Sequence, residues 1–173
     1  MANTFVKIAT VTVGVLGSAS IDFTSIPSTY TDLCLKISGR TIYVGVDNNF
    51  LIQFNSSGGT AYSQKVLYGT GSAASSFSRT AQPYVDLGYL NGSTSTSNTF
   101  GNAEIYIPNY AGSNKKSLSG DSVTENNATA ADMALGAGLW DNTAAITSIK
   151  IQDYNSNNFA QYSTATLYGI SKS

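Results

Sequence analysis

Apolar residues along this chain recur at every second position, in short runs separated by clusters of Gly, Ser and Asn. A period of two is the signature of a strand with one face buried, and Gly/Ser/Asn clusters are turn chemistry. Thr4 to Val15, rich in β-branched residues, predicts a first strand, and Ser18 to Phe23 a short second one with Ile21 and Phe23 on one face. After the loop Ser25-Ile26-Pro27-Ser28, the run Asp32 to Ser38 alternates with Leu33, Leu35 and Ile37 directed inward. Further strands are predicted over Phe50 to Phe54, Lys65 to Tyr68 and Tyr84 to Tyr89. Ala103, Ile105 and Ile107 then alternate against Glu104 and Tyr106 until Pro108-Asn109 ends the strand. Ser117 to Val123, Met133 to Trp140, Ile146 to Asp153 and Gln161 to Tyr168 complete the set, with Ile149, Ile151, Ala165 and Leu167 inward.

Two stretches, Gly69 to Ser78 and Asn91 to Asn98, read as Ser/Thr/Gly loops open to contact with neighbours. Only Ala128 to Met133 has the composition for a helical turn. About ten strands at this spacing predict an all-β fold, a two-sheet antiparallel β-sandwich of jelly-roll-like type. The absence of repeats, heptads and linkers makes 1–173 a single domain. Ile8 to Leu16 followed by Gly17-Ser18-Ala19-Ser20 loosely imitates a secretory signal, but Lys7, Thr10, Thr12 and Gly14 break up its apolar run, so a strand is expected there and not a leader. No stretch is long and apolar enough for a membrane-spanning helix, and no membrane partner is expected.

Composition changes the picture in one respect. Only 11% of residues are charged, whereas Ser, Thr, Asn and Gly make up about two-fifths of the chain, so the solvated surface is built from hydroxyls and amides. With a net charge of −1 and one adjacent basic pair, Lys115-Lys116, the chain lacks the clustered cations of a nucleic-acid binder.

The sequence contains no histidine, which removes Ser-His-Asp and Cys-His nucleophiles, imidazole metal clusters and the commonest neutral-pH base. One cysteine, Cys34, allows neither an intrachain disulfide nor a multi-thiolate metal site. It lies on the strand face opposite Leu33 and Leu35 and reads as a small packed residue. The only glutamates, Glu104 and Glu125, read as an outward strand position and a polar loop, not as a catalytic pair. Asp47-Asn48-Asn49 offers oxygen ligands but lacks calcium-loop spacing and reads as an Asn-rich turn. Asn55, Asn91 and Asn127 head matches to the glycosylation pattern, which chance produces readily in such a composition. No enzyme, catalytic residue, cofactor or resident metal is expected.

Eleven tyrosines suit either packing between proteins or a sugar platform, and interface or core is favoured over sugar. Tyr84, Tyr89, Tyr106 and Tyr110 are the candidate interface residues, while Trp140 reads as core.

The opening Met-Ala-Asn-Thr-Phe-Val-Lys-Ile-Ala-Thr-Val-Thr-Val-Gly, the run from Ile21 to Leu33, Ala103 to Tyr110 and the ending Ala165 to Ile170 together resemble a group of tailed-bacteriophage virion structural proteins. The likeness spans most of the chain and is weakest from Tyr43 to Ser97. It implies a virion component without a catalytic motif and does not itself distinguish head from tail. A compact domain without a stalk or repeats suits a capsid decoration, or cement, protein better than a fibre. The expected partners are then copies of itself, a homotrimer being favoured, and the major capsid protein or another virion protein, on the capsid surface. The alternative is a tail-fibre or tail-tip module that binds host surface glycan.

Overall fold

The computed structural model describes residues 4–71, 73–125, 127 and 131–171. They form twelve strands and, among the described residues, no helix. The first six are β1 (Phe5–Thr12), β2 (Ser20–Phe23), β3 (Asp32–Gly39), β4 (Asp47–Phe54), β5 (Tyr62–Thr70) and β6 (Ala73–Gln82). The others are β7 (Val85–Asn91), β8 (Gly101–Ile107), β9 (Lys116–Glu125), β10 (Ala131–Trp140), β11 (Ile149–Asp153) and β12 (Thr164–Ile170). All pairings between these strands are antiparallel. One sheet has eight strands in the order β1-β12-β3-β8-β9-β10-β5-β6, and the other has four in the order β2-β11-β4-β7. Only the β5–β6, β8–β9 and β9–β10 connections stay within a sheet. The chain is therefore a two-sheet β-sandwich, and its repeated crossing between layers resembles jelly-roll wiring.

The inner faces are the alternating positions that the sequence pattern marks. Leu33, Leu35 and Ile37 of β3, Ala103, Ile105 and Ile107 of β8, and Ala165 and Leu167 of β12 meet Ile21, Phe23, Ile52, Phe54, Ile149 and Ile151 from the smaller sheet. Trp140 packs edge-on against Phe54 at 5.5 Å and stacks on Tyr62 at 6.3 Å, closing one end of this core. The N-terminal run expected to be a strand is one: β1 pairs along its length with β12, from Phe5 opposite Ile170 to Thr12 opposite Thr164.

Three local expectations are corrected. Most of the Gly69–Ser78 stretch, read as loop, forms the β5–β6 hairpin, with Leu67 opposite Ser76 and Thr70 opposite Ala73. The candidate helical turn fails where it is described, because Ala131 to Met133 begin β10; residues 128–130 lie outside the described set. Asp47-Asn48-Asn49 is not a turn but the start of β4, paired with Asn91, Leu90 and Tyr89.

The two sheets approach most closely where β7 lies across β9 and β10. A Cβ on Gly136 would meet Leu87 Cδ2 at 2.7 Å and the Leu87 carbonyl at 3.0 Å, and one on Gly138 would meet Val85 at 2.5 Å. Gly136→Ala is expected to destabilise the fold by about 1–3 kcal/mol through overpacking. Gly14→Ala, where nothing lies within 4 Å, should stay within about 0.5 kcal/mol of the parent chain in the same urea titration.

Candidate functional site

The close approach at β7 dictates what the opposite face of the large sheet looks like. On β10 the inward positions are Asp132, Ala134, Gly136, Gly138 and Trp140, small for most of its length, so the bulky residues Met133, Leu135 and Leu139 point outward. Their neighbour across the ladder is another outward leucine, since Leu135 pairs with Leu67 of β5. Leu67 and Leu135 are 63% and 62% exposed, and Met133 is 53% exposed. A contiguous apolar stripe of this kind on a solvated sheet face marks a contact surface more often than scattered single residues do.

Leu67 and Leu135 of the stripe lie in a groove of about 840 Å³ on the outer face of the large sheet, lined also by Lys65, Ser76, Ser78, Glu104, Tyr106, Ser119, Asp121 and Ala137, while Met133 lies outside it. One ladder row crosses it, with Lys36, Glu104, Asp121, Leu135, Leu67 and Ser76 side by side. The floor thus changes from charged at β3, β8 and β9 to apolar at β10 and β5.

Charges at the polar end are spoken for. Lys36 Nζ lies 2.7 Å from Glu104 Oε2, both side chains being about half exposed. The Lys36 hydrogen bond holds the Glu104 carboxyl below the usual carboxylate range, the reverse of what a general acid requires. Tyr106 closes the row next to it; its hydroxyl donates to Asp32 Oδ2 at 2.6 Å, while Asp32 Oδ1 accepts the Asn109 N–H at 2.8 Å. That anchoring fixes the ring, 39% exposed, at the groove wall. Beneath these groups sits Cys34, the ladder partner of both Tyr106 and Tyr168. It faces outward, as the alternation predicts, yet is only 1% exposed. Burial first, and the Glu104 charge second, push its thiol up to about 11.

The four candidate interface tyrosines do not converge. Tyr106 lines the groove. Tyr110 is 1% exposed, with its hydroxyl donating to the Pro27 carbonyl, so its ring belongs to the core and not to a surface. Tyr84 and Tyr89 lie at the lip where the sheets part, half-buried. Tyr84 packs edge-to-face on Tyr154 at 6.1 Å and Tyr89 on Tyr68 at 6.1 Å. Arg79 sits over Phe77 at 4.8 Å and Tyr154 at 5.6 Å and forms a 3.0 Å ion pair with buried Asp86.

Glu125 is not part of the groove. Its carboxylate accepts the N–H groups of Thr96 at 2.7 Å and Asn127 at 2.8 Å and the Thr99 hydroxyl at 3.0 Å, and these bonds, that of Asn127 foremost, hold it below its usual range. Arg40 donates to the carbonyls of Ser93, Ser95, Thr96 and Thr99 at 2.8–3.1 Å. The loop from Asn91 to Asn98, expected to be open to neighbours, is thus tied down from two sides. The asparagines of the glycosylation matches are used within the fold. Asn55 bonds Ala145 and Thr147, Asn91 is fully buried, and Asn127 Nδ2 donates to the Thr94 carbonyl at 2.5 Å.

Comparisons with family models, curated proteins and solved structures find no match. The site therefore rests on its own geometry. Among the described residues no three acidic or cysteine side chains gather as a metal cluster, and no helix is long and apolar enough to cross a membrane. The sequence pattern pointed to Tyr106 but missed Leu67, Leu135 and Met133. Their signal was the inversion of β10, in which the larger residues occupy the parity opposite Trp140.

Asp86 supplies a pH test of the lip. Burial pushes its carboxyl from an ordinary 3.8 up to about 6, against the pull of Asn49 and Arg79. A carboxyl raised by folding stabilises below its unfolded pKa, and that contribution is lost as pH rises through the folded value. Asp86→Asn is expected to flatten the fall in stability between about pH 4 and 6, a slope of up to about 1.4 kcal/mol per pH unit, in denaturant titrations run across that window.

Proposed function

We propose that this chain is a non-enzymatic structural protein that docks onto another protein through the groove on its large sheet, and that the surface it meets is the assembled head of a tailed bacteriophage. In this reading it is a capsid decoration protein acting as a homo-oligomer, with a trimer favoured. The observation that carries docking is the outward stripe of Leu67, Leu135 and Met133, which the core does not require and which remains in water on the isolated chain. Support for the virion comes from the likeness of the chain's ends and of Ala103 to Tyr110 to virion structural proteins. A net charge of −1 agrees with contact through apolar and hydroxyl area, not through a long-range field. A decoration protein that binds the assembled shell and not its dissociated subunits stabilises the shell by mass action.

A second reading, a tail-tip module for host glycan, is favoured by one feature, the lip where Tyr84, Tyr154 and Phe77 lie around Arg79. Aromatic faces beside amide and guanidinium donors are the chemistry of sugar platforms.

Leu67→Asp and Leu135→Asp separate the two. Both sites are exposed, so folding should change by no more than about 1–2 kcal/mol, the cost of Asp in a strand, with Leu135→Asp the costlier because it faces Asp121 across the ladder. Each variant is expected to lose at least about tenfold in co-sedimentation with expanded capsids, as burial of a large apolar side chain contributes about 1.5–3 kcal/mol. Unchanged capsid binding by both variants, or none by the parent chain, sinks the decoration reading. Glycan retention abolished by Tyr154→Ala and untouched by Leu67→Asp would establish the other.

A further inference from the structure

Five buried side-chain atoms among the described residues lack a hydrogen-bond partner, and three of them are oxygens: Asn91 Oδ1, Thr124 Oγ1 and Asp132 Oδ1. They come from three strands and belong to one place. Asp132 on β10 is the ladder partner of Thr124 on β9. Asn91 on β7 is the ladder partner of Asp47 on β4, in the other sheet. The pairs meet across the sandwich twice. The Asp47 carboxyl lies against that of Asp132, and a Cβ on Gly101 would lie 2.8 Å from the Thr124 methyl and 2.9 Å from Asn91 Oδ1. These contacts bring four oxygen-bearing side chains from the two sheets together in a ring that is joined on one side through Gly101, where Thr124 presents its methyl.

The orientation of Asn91 is set by its amide nitrogen, which donates to Ser95 Oγ at 3.1 Å and Thr99 Oγ1 at 2.9 Å and leaves Oδ1 for the Gly101 side. Asn91, Thr124 and Asp132 are 0%, 1% and 7% exposed, so bulk water does not satisfy their free oxygens. Native interiors rarely leave such atoms unpaired. Neither Asp47 nor Asp132 has an ion-pair partner among the described residues.

A hard divalent cation answers each of these features. Two carboxylates, an amide oxygen and a hydroxyl are ligands that calcium accepts, with water completing the 6 to 8 oxygens it takes. No nitrogen or sulfur ligand for a softer metal is in the ring. We propose that Asp47, Asn91, Thr124 and Asp132 form a calcium site that ties β4 and β7 of the small sheet to β9 and β10 of the large one. Two charged ligands place its affinity with that of weak extracellular modules, a Kd on the order of 10⁻⁴–10⁻³ M. The site is separate from the groove, and its existence does not depend on the decoration reading.

The test uses the full chain stripped with chelator, then melted with added CaCl₂ or MgCl₂ at constant ionic strength, and titrated with terbium while exciting tyrosine. Tyr89, which feels the charges of both Asp47 and Asp132, is the sensitiser at hand. Calcium at about a hundredfold excess over Kd should raise Tm by about 5–10 °C, with magnesium doing less. Terbium emission should appear and be displaced by calcium. Asp132→Asn should abolish both responses, and the exposed control Asp121→Asn should keep them. Should Asp132→Asn fail to fold, Thr124→Val, which keeps the branched shape and removes only the hydroxyl, should weaken terbium binding by at least about threefold. No Tm shift and no sensitised emission up to about 100 mM cation, or equal responses in the parent and both ring variants, overturns the proposal.

Discussion

The close contact of β7 with β9 and β10 governs the rest of this structure. Where sheets pack at ordinary separation, both inner faces carry large side chains. Here Leu87 and Val85 occupy the space that side chains at Gly136 and Gly138 would need. The strand that accepts them must be small on its inner face, and it is the strand whose outer face carries Met133, Leu135 and Leu139. One packing constraint in the interior thus accompanies the exposed apolar surface on the other side of the same sheet, and the proposed docking face is inseparable from how the core closes.

Low charge does not mean loose electrostatics. Ionised groups are few, and several are spent on holding backbone. Arg40 gathers four carbonyls of one loop, Glu125 gathers N–H groups from the same region, and Lys116, 1% exposed, donates to carbonyls of Gly112 and Asn114. In a chain so rich in Ser, Thr and Gly, loops lack the apolar anchors that usually order them, and charge-assisted hydrogen bonds take that role. This leaves a largely uncharged outer surface, the kind suited to contact by shape and apolar area.

Most strands were readable in the sequence because one face of each is buried, and burial writes itself as a period of two. β6 was not, because Ala73 to Gln82 edges the sheet with most of its side chains in water and carries no alternation to read. The start of β4 was hidden for a different reason. Asn48 and Asn49 look like turn residues, but their amides serve buried acids, Asp153 at 2.7 Å and Asp86 at 2.9 Å. The groove escaped the pattern because its parts come from β5, β6, β8, β9 and β10 and meet only through the ladder. Tyr106 could be named as a surface candidate because it alternates with Ile105 and Ile107; Tyr110, beyond the strand end at Pro108, carries no such parity and turned inward.

Cys34 has a further consequence. Its thiol is roofed by the Tyr106 and Tyr168 neighbours and the Lys36–Glu104 pair, and it stays protonated far above neutrality. Only the thiolate is nucleophilic, so in the closed sheet this atom is chemically silent even under oxidising conditions. Any alkylation of it must wait for the half-exposed side chains above it, Tyr106 and the Lys36–Glu104 pair, to swing aside. The molecule therefore carries a native gauge of how often the outer layer of its largest sheet opens, read at a single sulfur without adding a label.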